Sequence, residues 1–166
     1  MLEFLKQLAT NYPLIIFIAS VLDIFFVSGL FLYGAAMMGS ILMLYTAGLI
    51  SVSEIILASY AGTLLGNILN YWSGRVFDKV PIVDKKLNHP KVQTAKGYLR
   101  TKGLFLYILI CRFIAISRPL YALVLGSLNI KFSRFIVYEA VVAFFWVVFW
   151  LIVLIQGEVL FRMLFS

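Results

Sequence analysis

The chain has 166 residues, 63% of them hydrophobic and 13% charged, which is more apolar surface than a water-soluble domain of this size can bury. A mean hydropathy of +1.03 points to an all-α polytopic integral membrane protein and argues against a soluble enzyme with a large polar pocket. The net charge of +7 is unevenly spread: residues 75–102 hold eight Lys/Arg against Asp78 and Asp84.

In chain order, residues 1–12 alternate Leu2, Phe4, Leu5 and Leu8 with Glu3, Lys6, Gln7 and Asn11. That pattern predicts an amphipathic helix lying in the membrane interface. The segment carries no n-region, h-region and A-x-A site, so it reads as retained rather than cleaved. Residues 13–74 form a first half. Pro13 suits the first turn of a helix, and from Leu14 to Met38 the only ionisable group is Asp23. Ser28, Gly29 and Gly34 are weak points in this stretch, which is either one long span or a re-entrant hairpin followed by the start of a span. An aspartate at such depth pairs, lines an aqueous path, or is neutralised by protonation.

Ser51-Val52-Ser53-Glu54 reads as a capping box, so Glu54 is a cap and not a catalyst. The helix it opens carries Ala58, Gly62, Gly66, Asn70 and Gly74 at every fourth position. Small residues so spaced make a narrow seam along which two backbones approach closely, a packing role. Asn67 lies just off the seam as candidate polar lining. Tyr71 and Trp72 are expected at a headgroup boundary.

The segment 75–102 is then a basic loop, cytoplasmic by the positive-inside rule and able to rest on anionic lipid headgroups. It has no nucleic-acid-binding motif, and no nucleic-acid partner is expected. His89, in Asn88-His89-Pro90, reads as a solvated turn residue. A single cysteine, Cys111, allows no internal disulfide or cysteine metal cluster; it reads as a packing residue. No cofactor is expected.

Residues 103–166 form the second half, and it holds the sequence's strongest signal. Within an apolar run stand Arg112 and Arg118, followed at once by Pro119. A guanidinium at bilayer depth costs several kcal/mol or more unless it finds a partner or water. Six residues apart on one helix, the two arginines would point roughly 120° away from each other. Pro119 disfavours helix at Arg118, so a break is expected there, letting both arginines face one wet, protein-lined cavity. Gly126 follows as a close-packing or bend position. A polar turn at 129–134 precedes the last helix, expected from about Phe135 to Phe161. Glu139, near its start, either meets water at the interface, the preferred reading, or faces the cavity.

Each half thus pairs an interrupted apolar segment (14–38, then 103–126) with a helix of small or aromatic residues. That is the pointer to a transporter site at the interface of two inverted repeats. In such a repeat, Asp23 and the arginines would approach near the midplane from opposite sides.

Gly62-x3-Gly66-Asn67-x3-Tyr71-x2-Gly74-Arg75, followed by Arg112-Phe113, Arg118 and Gly126, resembles the signatures of the DedA family, the family of the VTT domain. Phe135, Trp146 and Gly157 fall where that family's last helix carries Phe, Trp and Gly. The resemblance covers roughly residues 15–160. It departs where the family has Pro-x-Pro-Gly-acid, since Ser28, Leu30, Phe31 and Leu32 stand there, and Ala115 replaces a proline between the arginines. The resemblance implies a bacterial inner-membrane protein with two re-entrant hairpins plus transmembrane helices. It also implies lipid translocation, of undecaprenyl phosphate or of phospholipids.

The expected function is therefore transport of a phosphate-bearing lipid, as a flippase or scramblase and not as an enzyme. Arg112 and Arg118 would bind the phosphate headgroup bidentately, and Asp23 would neutralise the empty site. Protonation of Asp23 would ease release and could couple transport to protons. Transport of a small ion or solute, or a structural role with a static Arg/Asp network, are the competing readings.

Overall fold

The structure, a computed structural model, describes residues 11–28, 34–77, 96–114 and 117–165. Most of the expected interfacial helix (1–10), residues 78–95 of the basic loop, and Leu30, Phe31, Leu32 and Ala115 lie outside them.

The described residues form six α-helices and no strand: α1 Tyr12–Ile24, α2 Gly34–Thr46, α3 Val52–Phe77, α4 Leu104–Phe113, α5 Tyr121–Ser127 and α6 Phe132–Phe165. A π-helical turn, Leu99–Gly103, leads into α4. Pro13 sits in the first turn of α1, where its missing N–H is not needed. The capping box closes α3 as expected. Ser51 N–H donates to Glu54 Oε2 at 2.8 Å, and Glu54 N–H donates to Ser51 Oγ at 3.3 Å.

α3 and α6 are long and apolar enough to cross a membrane. Their most apolar windows are only 33% and 22% buried inside the protein, so most of that surface faces outward. Leu57 (68% exposed), Val137 (60%) and Phe145 (64%) are typical of it. Apolar helices with apolar outer faces belong in lipid. By contrast α1, at 13 residues, and α4, at 10, rise about 20 and 15 Å at 1.5 Å per residue, short of the roughly 30 Å hydrocarbon core.

Both short helices end in extended backbone. α1 stops where Phe25 turns to φ −63°, ψ 131°. Leu14 to Met38 is therefore not one continuous helix. α4 stops at Ile114, φ −93°, ψ 113°. The second break thus comes earlier than the expected Arg118–Pro119 position. Pro119 lies inside the turn that follows, and Arg118 N–H and Tyr121 N–H bond to Ile114 O and Ser117 O at 3.0 and 2.9 Å.

α2 and α5 end in the same way. Gly48 (φ 69°) and Asn129 (φ 54°) both take the left-handed conformation. After α2, Gly48 N–H bonds to Tyr45 O and Leu49 N–H to Leu44 O; after α5, Asn129 N–H bonds to Gly126 O and Ile130 N–H to Leu125 O. These paired bonds are the Schellman closure of a helix C-terminus. α6 starts at Phe132 and runs to Phe165, three and four residues beyond the expected ends at Phe135 and Phe161.

Packing follows from the seam on α3. A Cβ on Gly62 would stand 2.5 Å from Phe17 O, and one on Gly66 2.9 Å from Ile24 Cβ, so α1 lies directly on these glycines. A Cβ on Gly74 would stand 2.0 Å from Leu123 O, and one on Gly126 2.0 Å from Tyr71 O. There α5 crosses backbone to backbone, as small residues at every fourth position allow. One stripe of α3 thus receives a half-length helix from each half of the chain. α6 in turn packs against α3, α4 and α2. Tyr71 is fully buried, stacked on Phe135 at 4.9 Å between ring centroids, and so faces the protein and not the lipid. Trp72, next to it, is half exposed.

Candidate functional site

Between Gly66, which receives α1, and Gly74, which receives α5, the seam residue is Asn70. It is fully buried and is bonded on every side. Its Nδ2 donates to Ile24 O (2.8 Å) and Pro119 O (3.0 Å), and its Oδ1 accepts from Phe26 N–H (2.8 Å). A helix that breaks inside a protein leaves carbonyl and amide groups without intrahelical partners, and buried groups of this kind must be satisfied. One amide side chain does this for the end of α1 and for the turn before α5. Sequence reasoning placed Asn70 in the seam without a role. Its signal was available: it is the one seam position with a hydrogen-bonding side chain.

The two breaks bring charges from the two halves together. Asp23, in the last turn of α1, forms an ion pair with Arg118 through Oδ2 and Nη2. The Arg118 side chain is 19% exposed and that of Asp23 12%. The Arg118 guanidinium also lies 6.0 Å from the Trp146 ring centroid, within cation–π range.

Arg112 has a different partner and a different environment. Its Nη2 pairs with Glu139 Oε1 on α6 and donates to Tyr121 Oη at 2.8 Å. Tyr121 O–H donates to Glu139 Oε2 at 2.6 Å, and Asn67 Nδ2 donates to Glu139 Oε1 at 2.8 Å. Arg112 is 1% exposed, and Glu139, Tyr121 and Asn67 are equally enclosed. Glu139 is therefore not at the water interface; it is the buried counter-charge of an arginine. The two arginines do not share one wet cavity, because the helix break at Ile114 sends them to different acids.

Asn67 is thus part of the Arg112 cluster and does not line an open path. Gly62, Gly66, Gly74 and Gly126 are all at close helix contacts. Pro119 contributes its carbonyl to Asn70. Cys111, half-buried, packs against the core around Tyr121 and Ile108. No group of three or more potential metal ligands occurs among the described residues.

The family model of the VTT domain, the DedA family domain, matches residues 11–156. The chain belongs to the VTT domain family. It is a DedA family membrane protein, all-helical in its described residues, with two helices able to span. Neither the curated proteins nor the solved structures gave a match.

Proposed function

We propose that this VTT domain protein moves a phosphate-bearing lipid across the bilayer, with Arg118 as the headgroup ligand and Asp23 as its competitor. The observation that carries this reading is the Asp23–Arg118 pair itself. It joins the two halves at the breaks of two half-length helices and keeps some exposure, whereas Arg112 is closed by Glu139 and Tyr121. A guanidinium fits phosphate oxygens and stays charged throughout the cycle. When phosphate enters, it displaces the carboxylate; when the phosphate leaves, Asp23 returns. Proton uptake by Asp23 would weaken that return and is the point at which transport couples to protons. The lipid tails stay in the bilayer, so no large enclosed pocket is needed. Undecaprenyl phosphate and ordinary phospholipids both present the required group. The reading needs no bond-breaking chemistry, and the protein is taken as a transporter rather than an enzyme.

The order and packing of the helices support the same reading. In each half a short helix, a break, a second short helix and a Schellman turn precede a long helix. Each long helix packs on the first short helix of its own half and the second short helix of the other: α3 on α1 and α5, α6 on α4 and α2. Within each half the two short helices also touch. This exchange suits an inverted repeat with two re-entrant hairpins meeting at the midplane. With the basic loop cytoplasmic, the setting would be a bacterial inner membrane.

The test is a flip assay in reconstituted vesicles with a fluorescent phosphate lipid. Loss of a charge-assisted contact predicts that Arg118→Ala slows transport about tenfold or more. A wild-type rate in Arg118→Ala would remove the proposed ligand. Accumulation of soluble phosphate inside sealed vesicles without lipid movement would replace the lipid by a solute.

A further inference from the structure

A second group of cations lies away from the Asp23–Arg118 pair, at the end of the protein where α3 finishes and α6 begins. Among the described residues, Arg100, Lys131 and Arg134 line a pocket of about 250 Å³ together with Ile130. All three cationic residues are exposed, and no acid among the described residues lines the pocket. Arg134 Nη1 donates to the Arg100 carbonyl, which fixes one guanidinium edge and draws the π-helical turn towards α6. Arg75 stands behind them, bonded to Asn129 two residues before Lys131.

Among the described residues this grouping has no compensating acid beside it. Like charges repel, and they surround the first turn of α6, the positive end of a helix dipole, where anions and not cations are stabilised. That first turn contains no acid. An anion seated among the three side chains would remove the repulsion and use the dipole as well.

The surroundings set the level of the pocket in the membrane. Phe132, next to Lys131, packs on half-exposed Trp72 with ring centroids 5.7 Å apart. Within four turns of the start of α6, exposed Val137, Val141 and Phe145 begin the outward apolar face. Aromatic rings beside basic residues at the edge of an apolar band mark the headgroup layer. We propose that Arg100, Lys131 and Arg134 form a binding site for the phosphate of an anionic phospholipid. This site is separate from the transport pair and does not depend on the transport reading.

The test uses the full chain purified in mild detergent, with retained lipid counted by native mass spectrometry. The probes are phosphatidylglycerol, phosphatidylcholine and inorganic phosphate. Wild type should retain phosphatidylglycerol over phosphatidylcholine, and less of it as salt rises. Each of Arg100→Gln, Lys131→Gln and Arg134→Gln should lower that retention about fivefold, and Lys131→Gln with Arg134→Gln about 25-fold, given the usual worth of a basic residue near an anionic surface. Lys131 makes no side-chain hydrogen bond or ion pair among those described, so Lys131→Gln alone carries the test if a double variant does not fold. Equal retention of the two lipids, or wild-type retention in Lys131→Gln and the double variant, would overturn the proposal. So would binding of inorganic phosphate with no retention of phosphatidylglycerol, which would make the ligand a soluble anion.

Discussion

The carboxylate of Asp23 on α1 reaches the guanidinium of Arg118 beyond the break that follows α4, so the ion pair closes the contact between the two halves of the chain. Removing either charge therefore tests both a local bond and the approach of the halves. Arg112, on the same segment, looks the other way and is held by α6.

Glu139 should behave as a structural counter-charge. Glu139→Ala leaves a buried Arg112 guanidinium with Tyr121 as its remaining partner, and breaking one side of a buried pair costs about 3–5 kcal/mol. We expect a clear fall in thermal unfolding temperature in detergent. Exchanging the pair together, with Arg112→Met and Glu139→Leu, should restore much of it. A Glu139→Ala protein as stable as wild type would show that the cluster does not hold α4 to α6.

The glycines separate by what lies against them. Gly74→Ala and Gly126→Ala would push a methyl group into backbone carbonyls of α5 and α3, which cannot move aside as a side-chain tip can. Each should destabilise by about 1–3 kcal/mol or more through overpacking. Gly39→Ala on α2 meets nothing within 4 Å and should be neutral or gain up to about 1 kcal/mol from helix propensity. Unfolding measured for the three variants in one detergent distinguishes them, and equal effects would count against the backbone-to-backbone crossing.

Asn70 should be intolerant of even a close replacement. Asn70→Asp keeps an acceptor for Phe26 N–H but loses the donors to Ile24 O and Pro119 O, and Asn70→Leu loses all three bonds. With a net worth of about 1 kcal/mol per bond and a further cost for each buried group left unsatisfied, both variants should melt earlier. Their flip rates should fall further than in a variant of similar stability such as Gly74→Ala. A flip rate that simply follows stability would reduce Asn70 to packing.

Much of this arrangement is legible in the sequence where local spacing decides it. The capping box at Ser51–Glu54 and the seam from Ala58 to Gly74 are set by helix periodicity. The misplaced charges at Asp23, Arg112 and Arg118 stand out because the surrounding residues are apolar. What spacing cannot give is the partner of each charge. Glu139 reads as interfacial because it is only two turns into α6, yet α4 and α5 cover that turn. Tyr71 and Trp72 read alike in the sequence, but Tyr71 lies on the buried face of α3 and Trp72 does not. The break at Ile114 precedes Pro119, so the residue that ends α4 is not the one whose chemistry forbids a helix.

The proposed re-entrant arrangement makes a topological prediction. After Cys111→Ala removes the chain's one native thiol, single cysteines introduced along 105–125 can be labelled from either side of sealed vesicles. A hairpin gives both ends of the stretch accessible from the same side. A one-way gradient of labelling would instead mean that α4 and α5 together span the bilayer.

The most direct measurement is binding of a labelled phosphate lipid to the purified protein, compared between wild type, Asp23→Asn and Arg118→Gln. If Asp23 and phosphate compete for one guanidinium, Asp23→Asn should bind more tightly than wild type, while Arg118→Gln should lose about tenfold or more in affinity. Unchanged binding in Arg118→Gln, or equal weakening in both variants, would contradict the account.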